Sequence, residues 1–146
     1  MNFDIVVKST PEGNKYFIDG IQQPTLQLVR GDSYTFSQKN ATNNTHPVAI
    51  STTPDGTHGG GIQYTDKWSY RGTAGSNGKG ILKITDNTPS SLYYYCMNHA
   101  GMGGSIDVVN ESEVSVESES RGRKFAKQAG LVGATLYLAY KLRKKE

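Results

Sequence analysis

Cysteine is nearly absent from this chain: Cys96 is the only one. A single thiol excludes an internal disulfide and points to a reducing compartment or to a thiol kept for metal. Long apolar runs are scarce too. The uncharged core of the most apolar stretch, residues 128–140, has thirteen residues, whereas a membrane span needs about twenty. Met1 is followed by Asn2-Phe3-Asp4-Ile5, with neither a basic start nor an apolar core after it, so no secretory signal peptide is expected. Paired-acid motifs, nucleophile motifs and a second cluster of metal-binding residues are lacking, and the expectation is a protein that is not an enzyme.

What is present divides into unequal parts. The chain has 146 residues and a net charge of +3, but that average describes neither end. Residues 1–120 carry eight Lys/Arg against twelve Asp/Glu, a net of −4, and residues 121–146 carry eight Lys/Arg against one Glu, a net of +7. Such separation marks a body with a functional tail. The expected organisation is a domain over 1–109, an acidic polar linker over 110–122 and a basic, apolar-cored docking helix over 123–146. The net −4 of residues 1–120 disfavours nucleic acid as a partner of the body.

The body reads as β. Candidate strands cover 3–8, 15–18, 25–29, 33–37, 47–52, 80–85, 91–96 and 105–109. In Leu26-Gln27-Leu28 and Tyr34-Thr35-Phe36-Ser37, apolar and polar side chains alternate as on a half-buried strand. Turn signals such as Asp19-Gly20, Arg30-Gly31-Asp32 and Pro54-Asp55-Gly56 separate the strands. Many short strands with regular punctuation predict a sandwich or barrel. Period two sends Tyr94 and Cys96 to one face and Tyr93 and Tyr95 to the other. Residues 53–80 are the least regular part. His58 reads there as a solvated loop histidine, although it could shield a metal or meet a partner. Tyr64, Trp68 and Tyr70 are expected to cap the barrel.

Chemistry concentrates in Cys96-Met97-Asn98-His99-Ala100-Gly101-Met102, with the spacing Cys-x2-His-x2-Met. His46 lies fifty residues upstream of Cys96, at the start of a strand-like run. A thiolate, two imidazoles and a thioether form the donor set of a blue-copper site, a trigonal His2Cys plane with a weak axial Met. One tight loop can carry three of these ligands, and His46 would pin the site to a second part of the fold.

With these residues the chain resembles the cupredoxins, the small blue-copper proteins that include plastocyanin, azurin and amicyanin. The short ligand loop is similar to that of amicyanin, and the resemblance covers roughly residues 3 to 109. It implies an all-β, cupredoxin-like Greek-key β-sandwich or barrel, here with a C-terminal α-helical tail. It implies one type 1 copper, with His46, Cys96 and His99 as equatorial ligands and Met102 as the axial one. Single electrons would leave near His99, where a redox protein partner would dock. One position departs from the pattern. Many relatives have a free backbone N–H just after the first His, donated to the Cys sulfur; here Pro47 has none. Loss of a donor to the thiolate favours Cu(II), so a lower reduction potential is expected than in relatives with that N–H.

Small residues recur four apart at Ala126, Gly130 and Ala134 in the tail, and leucines recur at 131, 138 and 142. A helix there would be apolar nearly all round, which suits burial in protein or lipid. The tail is therefore expected to attach the body to a larger assembly or to a membrane. A second functional reading stays open. The run from His46 to Thr53, followed by Asp55-Gly56-Thr57-His58-Gly59-Gly60-Gly61, also looks like cupredoxin-type domains in structural proteins of marine bacteriophages. The body would then be a rigid module of a virion, with or without copper.

Overall fold

A computed structural model describes residues 1–114 of the chain. The helix expected over 123–146, and the linker expected over 110–122 apart from its first residues, lie outside them. Ten strands follow in order: β1 Asn2–Thr10, β2 Gly13–Ile18, β3 Ile21–Gln22, β4 Leu26–Val29, β5 Ser33–Gln38, β6 Val48–Ser51, β7 Trp68–Arg71, β8 Gly78–Lys83, β9 Ser91–Cys96 and β10 Gly104–Val109. Single 3-10 turns occupy Ala41–Asn43 and Gly56–Gly59, and one helical turn, α1, Glu111–Val114, follows β10. Among the described residues no helix is long and apolar enough to cross a membrane.

The strands form two sheets. One has six strands in the order β3-β2-β1-β5-β8-β7, and the other four in the order β4-β10-β9-β6. After β3 the chain changes sheet at every connection until β7, so consecutive segments close over a shared interior. Most neighbours are antiparallel, but β1 runs parallel to β5 and β10 parallel to β4. The core lies between the two inner faces. Along β5, Tyr34, Phe36 and Gln38 are buried while Ser33, Thr35 and Ser37 are more exposed, as a two-residue period demands. Phe3, Ile18 and Leu82 line the inner face of the same sheet, and Leu28 and Ile106 meet them from the other.

Residues 53–80 are more regular than expected. They contain the Gly56–Gly59 turn, β7 and the start of β8. Strand β7 is an edge strand paired only with β8, with Tyr70 opposite Gly80. Its aromatics do cap the core. Trp68 meets Phe36 edge-on at 5.9 Å, and Tyr64, Trp68 and Tyr70 all pack against the central cluster.

Register places the site. Strand β6 pairs with β9 so that Val48 lies opposite Cys96. His46 is two residues before Val48 and therefore arrives beside the end of β9. The chain then turns through 97–103 and returns as β10, with Gly104 opposite Tyr94.

Candidate metal centre

Cys96 is the last residue of β9 and is fully buried. Its sulfur lies 3.7 Å from His46 Nδ1 and 3.7 Å from His99 Nδ1. The two imidazole rings tilt towards each other with centroids 4.7 Å apart. One ligand atom from each of the three residues falls within 4.8 Å of the others. Met102, in the same loop, is buried. Of the four residues singled out by the sequence, the fold gathers His46, Cys96 and His99.

These distances fit one metal ion. Bond lengths of about 2.3 Å to sulfur and about 2.05 Å to nitrogen separate the donors by about 3.8 Å in a trigonal plane and about 3.6 Å at a tetrahedral centre. The observed 3.7 Å falls between the two. Burial, and then the neighbouring His99, lower the pKa of His46 below its ordinary 6.5. That favours the neutral imidazole, the form that binds metal. Thiolate, two imidazoles and a buried thioether make the donor set of a single type 1 copper.

His46 owes its place to groups the sequence did not advertise. Its N–H donates to the Asn43 carbonyl at 2.8 Å. Its carbonyl accepts from Gln38 Nε2 at 2.8 Å and from the Tyr16 hydroxyl. Gln38 is fully buried and straddles Pro47, since its Oε1 also accepts from the Val48 N–H at 2.8 Å. The same oxygen accepts from the Tyr70 hydroxyl at 2.7 Å, and Nε2 also donates to Asn43 Oδ1 at 2.9 Å. Asn43 in turn donates to the Ile5 carbonyl at 2.7 Å. Buried polar groups of this kind are costly unless satisfied, and a satisfied network fixes geometry. Burial, followed by the Cys96 charge, pushes the Tyr16 phenol well above its ordinary pKa. It stays neutral and able to donate. Its backbone N–H donates to the Met102 carbonyl at 2.9 Å, so one residue touches both ends of the site.

The ligand loop is exposed from Met97 to Gly101. His99 is exposed whereas His46 is only 8% exposed. Met97, beside the loop, is one of two exposed large apolar residues among those described. His58 departs from the solvated loop histidine expected of it. Its ring is exposed, yet Nε2 lies 2.8 Å from the Cys96 carbonyl and must be the donor there, because a carbonyl only accepts. It also meets the Tyr95 ring edge-on at 6.1 Å. Pro47 stands after His46 as the sequence requires, and its carbonyl accepts from the Met97 N–H at 3.0 Å.

No protein-family model and no curated protein matches the sequence. Solved structures do match the fold. A multicopper oxidase from the hyperthermophile Aquifex aeolicus aligns with 86% of this chain and 29% of its own, at 14% identity and a TM-score of 0.50. This chain therefore spans less than a third of that oxidase. Reduced rusticyanin aligns with 75% of this chain and 79% of its own, at 19% identity and a TM-score of 0.46. The architecture is a cupredoxin-like β-sandwich. The matches lend no support to the phage resemblance.

Proposed function

We propose that this cupredoxin-like domain holds one type 1 copper and passes single electrons, and that residues 123–146 attach it to a larger assembly or to a membrane. The observation that carries the reading is the pair of imidazole nitrogens set 3.7 Å from one buried thiolate, with one imidazole exposed and the other covered.

When bound, copper supplies a one-electron couple tuned by its sulfur and nitrogen donors. The protein's own residues do the rest. Cys96 and Met102 are buried, which keeps water from the sulfur donors. His46 is fixed through its backbone at both N–H and carbonyl, so its ring has little freedom to follow a change in charge. His99 offers the short route to solvent, and a redox partner would dock around it. Four protein donors leave no coordination position for a substrate, which favours electron transfer over turnover.

Titrating the full chain with Cu(II), followed optically and by EPR beside Cys96→Ser, tests the assignment. One equivalent should give an intense thiolate-to-copper band and a narrow copper hyperfine splitting, both lost in the variant. A well-folded protein that gives neither signal would sink the copper reading.

A further inference from the structure

Five non-glycine residues of the described chain adopt a left-handed backbone: Asp19, Gln23, Thr45, Asp55 and Lys67. Three of them hold the ligand loop. The Asp55 carboxylate accepts from the Gly101 N–H at 3.0 and 3.2 Å. Gln23 Nε2 donates to the Gly103 carbonyl at 2.8 Å and to the Gly101 carbonyl at 3.2 Å. The Thr45 carbonyl accepts from Asn98 Nδ2 at 2.9 Å. Left-handed backbone is costly for residues with a Cβ and persists where the surroundings over-determine it. Here three of the five gather around one segment, 96–103.

Two more contacts complete a collar. Lys15 Nζ donates to the Gly101 carbonyl at 2.7 Å, and His58 donates to the Cys96 carbonyl at 2.8 Å. Gly101, at φ +80°, is therefore gripped at both its N–H and its carbonyl from separate parts of the fold. His58 grips the start of the loop and Asp55 its far side, three residues apart on one short strap.

We propose that Asp55, Gln23 and His58 are positioning residues that hold the 96–103 loop at its metal-ready spacing. None of them supplies a metal donor. They act through backbone groups, so the loop does not have to be ordered at the moment of binding. The collar's importance to copper rests on the type 1 reading above, but the contacts that form it do not.

The test uses the metal-free full chain. Amide exchange at Gly101, followed by NMR, reads the collar directly. Asp55→Ala should speed it by at least about tenfold, because a hydrogen bond to a charged acceptor is lost. Asp55→Asn keeps an acceptor oxygen and should fall between the two. Asp55→Gly removes the carboxylate while relaxing the left-handed backbone, so it should keep the fold and still free the Gly101 amide. In Cu(II)-loaded protein the glycine and alanine variants should broaden the copper hyperfine pattern and release copper faster, while Asp55→Asn restores part of both. Unchanged Gly101 exchange in folded Asp55→Gly would overturn the proposal. Faster exchange without any change in the copper spectrum or release rate would overturn it too, since the loop would then not depend on its collar. If the unaltered chain takes up no copper, the functional reading fails, and the metal-free exchange still decides whether the collar exists.

Discussion

Gln38 shows how much of this site hangs on one uncharged side chain. It bonds to the His46 carbonyl, the Val48 N–H and Asn43, and so holds both residues that flank Pro47. Gln38→Leu would leave the Val48 N–H and Asn43 Oδ1 without that partner, while Tyr16 still covers the His46 carbonyl. Each orphaned buried group costs about 1–3 kcal/mol, so urea unfolding should show a loss of about 3 kcal/mol and copper should bind more weakly. Pro47 acts by what it lacks. Pro47→Ala restores an N–H, and if that reaches the thiolate the reduction potential should rise; protein-film voltammetry on both chains measures it, and an unchanged or lower value counts against the tuning argument. His46 gives the metal-free protein a pH dependence of known sign. Its folded pKa lies below 6.5, so below that pH the unfolded chain takes up a proton that the folded chain refuses. Stability is then full above about pH 6.5 and falls as pH drops towards the folded value. Thermal unfolding from pH 7.5 to 5 should show the loss, and His46→Gln should flatten it.

Among the elements, the β9–loop–β10 unit is the most constrained. An added Cβ at Gly103 would run into the Tyr94 carbonyl oxygen, a backbone atom that cannot step aside. Gly103→Ala should therefore destabilise the fold by about 3 kcal/mol or more, where Gly60→Ala, with open space around it, meets only its backbone strain. Comparing the two in urea checks the claim. The strands of this unit were legible because their alternation is strong: Leu92, Tyr94 and Cys96 line one face of β9 as period two requires. The convergence of His46, Cys96 and His99 was legible for a different reason, that donor types at fixed spacing survive without any knowledge of packing. What escaped lies in two classes. Strand β7 is four residues at a sheet edge, too short to show a period, so its aromatics read as a cap rather than as a strand. The supports of the site escaped because they act through long-range backbone contacts. Gln38 continues the inward face of Tyr34 and Phe36, but it falls one residue past the strand expected over 33–37, so the alternation did not mark it. Nothing local marks His58 or Asp55 as neighbours of Cys96 and Gly101, since only the return of 53–61 over β9 creates those contacts. That same return buries Tyr95 on the outer face, where an added Cβ at Gly56 would meet its ring.

For the whole molecule, charge is unevenly placed along the sequence. Residues 1–120, which include the site, sum to −4, and residues 121–146 sum to +7. Thirteen uncharged residues at 128–140, if helical, extend about 20 Å, well short of a hydrocarbon core of about 30 Å. A helix of that length suits the membrane interface or a groove in another protein better than a span. Flanking Lys and Arg add about 1 kcal/mol each when close to an anionic surface, and eight of them are enough to hold the chain there at low salt. The full chain should therefore sediment with vesicles that contain anionic lipid, and less so as salt is raised, because surface attraction is screened over about 10 Å at 0.1 M. A chain ending at residue 120 should stay in the supernatant with its copper spectrum intact. If the full chain also stays in the supernatant, lipid is not what the tail meets, and a protein assembly becomes the attachment to pursue. If the shortened chain loses its copper spectrum, the division into body and tail is wrong, because the tail would then be supporting a site that the described residues build among themselves.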